Sequence, residues 1–278
     1  MDGTGHDGLS AGLRLPRRPR LCRPGRSPLR LLPRCAEGER CAPSVPDPHP
    51  GRQPTVSRPD PQAVQQASSS RRPSPLGGRK PTKDDLPAFA TDNPDSIDDV
   101  LPGPGDPPLR LLIIGINPGL WTAAVNAPFA RPGNRFWPSL HRAALTDHLI
   151  DASRGLDLAD ERHLIERGIG ITNIVGRATA RADELNRDEL RTGATTLVTR
   201  IQTLRPQAAA IAGITAFRTA FRQPKAVLGK QDTTLIDGWP KDTQLWVVPQ
   251  PSGLNAHENI DTLAAKWRDV WQSTSPAG

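Results

Sequence analysis

The sequence predicts an α/β domain, a three-layer sandwich with a central, mainly parallel sheet flanked by helices, behind a disordered N-terminal extension. Three observations carry this. Short apolar runs that end on glycine or turn residues alternate with segments of helical periodicity. The first such run, "LRLLIIG" (109–115), is continuously apolar, as a strand buried on both faces of a parallel sheet should be. The segment before it, by contrast, is dominated by Pro, Arg, Ser, Gly and Asp, with 14 prolines in residues 1–80.

Such a segment buries too little apolar surface to offset the entropy of ordering it. Residues 1–100 are therefore expected to be a disordered Arg/Pro-rich extension and linker, and residues 101–278 the folded domain. "LPGPGDPP" (101–108) closes the linker. The extension reads either as a solvated tail or as a nonspecific phosphate-binding arm whose affinity would fall with salt.

Charge follows the same division. Residues 1–80 hold 15 Lys+Arg against 6 Asp+Glu, a net of +9, and residues 81–278 hold 21 against 23, a net of −2. The high isoelectric point belongs to the extension and says nothing about what the domain binds. Cys22, Cys35 and Cys41 all precede the domain. A disulfide framework, a thiolate zinc site and a cysteine-ligated iron–sulfur cluster are thereby excluded from residues 42–278. The spacing of the three cysteines matches no common metal site. No apolar run approaches the roughly 18–20 residues that span a bilayer, and the N-terminus has no signal-like apolar region. A cytoplasmic protein without membrane contact is the expectation.

The elements follow in order. "NRFWPSLHRAAL" (134–145) has apolar residues at 136, 137, 140, 143 and 144; Asn134 can cap this helix and Pro138 sits in its first turn. "LADERHLIERG" (158–168) is a helix stopped by Gly168, and "IGITNIV" (169–175) a second strand. Asn186 and Glu189 stand in capping-box register at the start of a helix whose apolar positions 190, 194, 197, 198, 201 and 204 share one face, and Pro206 ends it. "QAAAIAG" (207–213) is an Ala-rich third strand, followed by the short helix "ITAFRTAF". "TTLIDG" (233–238) and "TQLWVVPQ" (243–250) read as two more strands. In the last helix Ile260, Leu263, Ala264, Trp267, Val270 and Trp271 are expected to face inward.

In sheets of this kind ligands bind beyond the carboxyl ends of the strands. Two unusual loops fall there, "GINPGLWTAAVNAPFARPGNRFW" (115–137) and "PQPSGLNAH" (249–257). Neither contains an acid. They offer Asn117, Asn126, Asn134, Gln250, Ser252, Asn255 and His257, with Arg131 and Arg135. Chemistry built on them must work by positioning and dipoles, not by a strong general base. "GINPGL" is neither a dinucleotide fingerprint nor a phosphate loop. Taken alone, Asn117 reads as well as a turn residue before Pro118, and "PSG" as an ordinary turn.

The two loops together resemble the mismatch-specific uracil/thymine-DNA glycosylases, the second family of the uracil-DNA glycosylase superfamily. "GINPGL", "PFA" and "NRFW" match at their offsets, and "PQPSGL" is similar to the family's NPSGL. "GITNIVGRATARADEL" and "LGKQ" match further segments, so that the likeness covers about 109–272.

The resemblance implies a uracil-DNA glycosylase-like fold, with no cofactor and no metal. It implies a base-excision-repair enzyme that flips uracil out of a G·U mismatch in double-stranded DNA and hydrolyses the N-glycosidic bond. The partner is DNA carrying a mismatched or damaged base; the protein is expected to be monomeric, bacterial-type and associated with the nucleoid by binding DNA. A mispaired base is cheaper to extrude, which supplies part of the selectivity. Asn117 matches the catalytic asparagine that positions the attacking water. Phe129 matches the aromatic that stacks on the flipped base, Gly115 and Ile116 the pocket wall, and Thr122 the position that meets a 5-methyl group, with Trp121 bulkier than usual beside it. Gly253 and Leu254 match the wedge that fills the vacated stack, and Ser252 a phosphate holder. Gln250 stands where the family usually has Asn, and Ala256 where an arginine often follows the wedge; Gln250 and Asn255 count with the wedge and backbone contacts, and His257 is a helix-start or phosphate-side residue. Arg131, Arg135, Arg177 and Arg181 are candidate phosphate contacts. A non-catalytic nucleic-acid-binding module on the same fold and a small-molecule nucleotide-processing enzyme are the alternatives. The intact Asn117 speaks against the first, and the absence of phosphate-loop glycine spacing against the second.

Overall fold

The computed structural model describes residues 71–274. Strands β1 (Leu111–Gly115), β2 (Ile169–Asn173), β3 (Ala208–Ala212), β4 (Gly229–Lys230) and β5 (Gln244–Val248) form one sheet in the order β2-β1-β3-β5-β4. The first three pairings are parallel, and β4 runs antiparallel to β5 at the edge. Helices α1 (Leu120–Val125), α2 (Phe136–Arg142), α3 (Leu158–Glu166), α4 (Arg187–Leu204), α5 (Ile214–Ala220) and α6 (Ile260–Gln272) complete the domain. No helix among the described residues is long and apolar enough to cross a membrane.

The period of two along each strand sorts the core into two layers. Leu111 and Ile113 of β1, with Ala208, Ala210 and Ala212 of β3, pack under α2, α3 and α6. Leu112 and Ile114, with Ala209 and Ile211, pack under α4 and α5. Every residue of β1 and β3 is buried, as central strands of a three-layer sandwich require. Phe136 and Trp267, both fully buried, meet edge to face with ring centroids 5.9 Å apart and join α2 to α6. The capping box of α4 forms as its sequence requires: Asn186 Oδ1 accepts from Glu189 N and Glu189 Oε2 accepts from Asn186 N, both at 2.9 Å.

The structure corrects the sequence expectation in several places, among them the helix expected over 134–145, which ends at Arg142 and leaves Ala144 exposed with φ 60°. Thr233–Leu235 is a 3₁₀ turn, not a strand, because Asp232 Oδ1 accepts from Thr234 N and turns the chain there. The edge is supplied instead by the two-residue β4. Ile260 is substantially exposed, because α6 begins at that residue and its buried stripe starts one turn later at Leu263. The loop after β1 contains a helix, α1, ended by Asn126 in the left-handed conformation. Finally, order does not begin at Leu109. Residues 71–100, assigned to the disordered extension, lie against the domain, and Val100 forms an isolated antiparallel bridge with Ile171. The rest of that expectation, residues 1–70 with the three cysteines, lies outside the described residues.

The chain leaves β1 for β2 on one side and later returns to β3 on the other. The switch point of the sheet is therefore at β1, where a crevice opens beyond the strand ends.

Candidate active site

A cavity of about 530 Å³ lies at that switch point, within the usual range for ligand sites. All four parallel strands feed it: Ile116 and Asn117 follow β1, Asn173 ends β2, Ala212 ends β3 and Gln250 follows β5.

Asn117 is half-buried, with its amide nitrogen anchored. Nδ2 donates to Thr179 Oγ1 at 2.7 Å, Arg177 O at 3.0 Å and Pro118 O at 3.2 Å. The Thr179 hydroxyl donates its own hydrogen bond to Arg181 O at 2.8 Å, so its oxygen is left as an acceptor for the amide. Among the described residues the side-chain hydrogen bonds of Asn117 are all made by the nitrogen, which leaves the carboxamide oxygen as the acceptor available to the cavity that the residue lines. Asn117 is therefore held from outside its own turn, and a simple turn role does not account for its partners.

Phe129 lines the same cavity. Its backbone is left-handed, φ 54°, which is strained for an aromatic residue and is found where surroundings hold a side chain in place. Phe136 stacks behind it, centroids 3.9 Å apart, and fixes the ring plane. Gly115 makes room for Asn173: a Cβ there would collide with Asn173 Oδ1, whereas Phe129 Cζ would stand at 3.4 Å, about van der Waals contact. Gly115 thus acts by absence and does not itself line the cavity. Thr122 lines it from α1, whereas Trp121 turns away and donates from Nε1 to Ser153 O at 3.0 Å.

The second loop faces the first. Ser252, Leu254 and Asn255 line the cavity, and Leu254 is 86% exposed at the tip. The loop is stiffened internally: Asn255 Nδ2 donates to Gln250 O at 3.1 Å, Asn255 N to Ser252 O at 3.0 Å, and Leu254 N to Ser252 Oγ at 3.2 Å. His257 N donates to Asn255 Oδ1 at 3.2 Å, and its ring stays on the exposed surface. Ala256 is likewise exposed.

Arg135 ties the two loops together. Its guanidinium donates to Asn255 O at 2.7 Å, Glu258 O at 2.6 Å and Gly253 O at 3.1 Å, while its backbone N donates to Pro251 O at 2.9 Å. Gly253 lies so close to the first loop that a Cβ would be 2.6 Å from Gly133 O.

Of the candidate phosphate contacts, Arg131 and Arg181 line the cavity. Arg135 is spent on carbonyls. Arg177 pairs with Glu189 at 2.8 Å, which holds the Glu189 carboxyl below its ordinary range, helped by the Asn186 N–H.

The structure also brings in residues that the two loops did not reveal. Asn173 lines the wall beside Asn117, and its signal was a polar residue closing the apolar run "IGIT" in register with Gly115. Thr179 and Asp183 come from the segment between β2 and α4, and Asp183 is ion-paired with Arg181. Asn126, counted among the loop amides, points elsewhere, toward Asp98.

The cavity thus brings together an aromatic ring, an anchored carboxamide and an exposed apolar residue, Leu254. The family model for the Uracil DNA glycosylase superfamily matches residues 102–273, and the chain belongs to that superfamily. It is accordingly a DNA-repair glycosylase, a hydrolase that acts on uracil in DNA.

Proposed function

We propose that this protein is a monofunctional, mismatch-specific uracil-DNA glycosylase of the superfamily's second family. It acts as a cytoplasmic, nucleoid-associated monomer on G·U mismatches in double-stranded DNA. The observation that carries the reading is the anchored carboxamide of Asn117 on a cavity shared with the Phe129 ring.

In this reading the mispaired uridine swings out of the duplex and its base enters the slot against Phe129, a contact worth about 1–3 kcal/mol per base. Leu254 enters the stack that the base has left, as apolar wedges do. The glycosidic C1′–N1 bond breaks with its electron pair leaving on uracil, and the sugar becomes cationic. Asn117 Oδ1 accepts a hydrogen bond from a water aimed at C1′, whose oxygen forms the new bond and whose proton passes through solvent to the departing uracil anion. An amide is a weak base, but a cationic sugar demands orientation more than deprotonation. The Asn173 carboxamide offers a donor toward a base carbonyl, where fixed dipoles lower the barrier for an anionic leaving group. Arg131 attracts the phosphates that flank the site, whereas Arg181 is already paired with Asp183. Gln250, in place of the usual Asn, keeps an amide at the end of β5.

The test is excision from duplexes containing G·U, A·U or G·T and from single-stranded uracil DNA, with abasic sites revealed by alkali. Fastest release from G·U agrees with the reading. Equal release from single strands and mismatches contradicts it.

A further inference from the structure

The family match begins at residue 102, yet the candidate base cavity has a wall from before it. Ile97 lines the same cavity as Asn117 and Phe129. It belongs to a strap, residues 92–101, fixed on both sides of Ile97. Ser96 Oγ donates to Gly176 O. A Cβ on Gly176 would collide with Pro94 O, so the strap lies in direct contact with the chain there. Asp98 N donates to Asn126 Oδ1 at 2.8 Å, and Asn126 Nδ2 returns a bond to Asp98 Oδ2 at 2.9 Å. Asp99 pairs with Arg200 at 2.9 Å, and Val100 exchanges two backbone hydrogen bonds with Ile171 at 2.8 and 2.9 Å.

A second, larger cavity of about 1040 Å³ lies between this strap and α4. Ile97 and Asn173 line both cavities, so the partition between them runs through these two side chains. Asn173 is packed in the sheet against Gly115, which leaves the Ile97 side chain as the part of the wall whose size can be varied without disturbing a strand.

We propose that Ile97 is a specificity-determining residue that sets the size of base the site accepts. Shortening it joins the slot to the larger space and admits a base with a bulky substituent. This rests on the glycosylase reading above.

The experiment measures single-turnover excision by the full chain from G·U duplexes and from duplexes with an enlarged base opposite G, either uracil with an extended 5-substituent or ethenocytosine, which add bulk on different edges of the ring. In Ile97→Ala, which removes three carbons, the ratio of bulky-base to uracil rates rises by about tenfold or more, the discrimination that even one methylene supplies. Ile97→Phe lowers the ratio, and Ile97→Leu, which keeps the volume, leaves it near the wild-type value. The Phe and Leu variants decide the matter should the Ala variant not fold. A merely structural strap would slow both substrates together. An unchanged ratio in Ile97→Ala and Ile97→Phe, in a wild type that excises uracil, overturns the proposal; a wild type that excises uracil from no duplex overturns the glycosylase reading beneath it.

Discussion

Asn117 and Thr179, 62 positions apart, meet through a 2.7 Å hydrogen bond from Nδ2 to Oγ1. That bond fixes which end of the carboxamide can act. Thr179→Val keeps the shape and removes the acceptor. Loss of about 1 kcal/mol of orientation should slow single-turnover excision roughly fivefold while leaving DNA affinity unchanged. Fluorescence anisotropy on the uncleaved duplex separates the two effects.

Phe129→Ala should reduce excision by about tenfold to a hundredfold, the worth of one stacked base. Its cause should show as weaker retention of the extruded base, read by 2-aminopurine fluorescence opposite or beside the target. Phe129→Tyr keeps the ring and should retain most activity.

Arg135 separates two roles by salt. Removing a cation that neutralises a phosphate lowers the slope of log affinity against log salt by about one. Arg135 instead holds three carbonyls of the wedge loop, so Arg135→Ala should weaken duplex excision with the salt slope unchanged. Arg131→Ala, removing an exposed cation at the cavity, should lower the slope.

Acid sensitivity should trace in part to Glu189. Its carboxyl is held below the ordinary glutamate value by Arg177 and by Asn186 N, so the pair stabilises the fold above that value. The contribution is lost as pH falls through the lowered folded value, below the ordinary range near 4.5. Being partly exposed, the pair contributes only about 0.5–1 kcal/mol. Glu189→Gln should lower the melting temperature slightly at neutral pH and flatten its decline between about pH 5 and 3.

Much of this site was legible because the chemistry of its residues is local. "GINPG" and "PSGL" each had to end a strand, and strands at a switch point share one crevice. The capping box at Asn186 was readable because cap and partner are three residues apart. The rest depended on distance. Nothing near Thr179 announces that its hydroxyl orients an amide at the end of another strand. Arg135 looked like a free surface cation because its three carbonyl acceptors lie about 120 residues on. Ile97 sat in a Pro- and Asp-rich stretch whose composition argues against order. It is ordered by contacts from Gly176, Asn126 and Arg200, none of which composition can show. The misread strand at 233–238 had the right β-branched content, but a single Asp turn at its start overrode propensity.

The role of Asn117 is tested most sharply by single-turnover release of uracil from a G·U duplex by Asn117→Ala, with melting temperature and duplex affinity measured alongside. The rate should fall at least about a hundredfold with fold and affinity kept, since orientation of the attacking water is removed and binding is not. A variant that releases uracil at the wild-type rate would show that the carboxamide does not place the water.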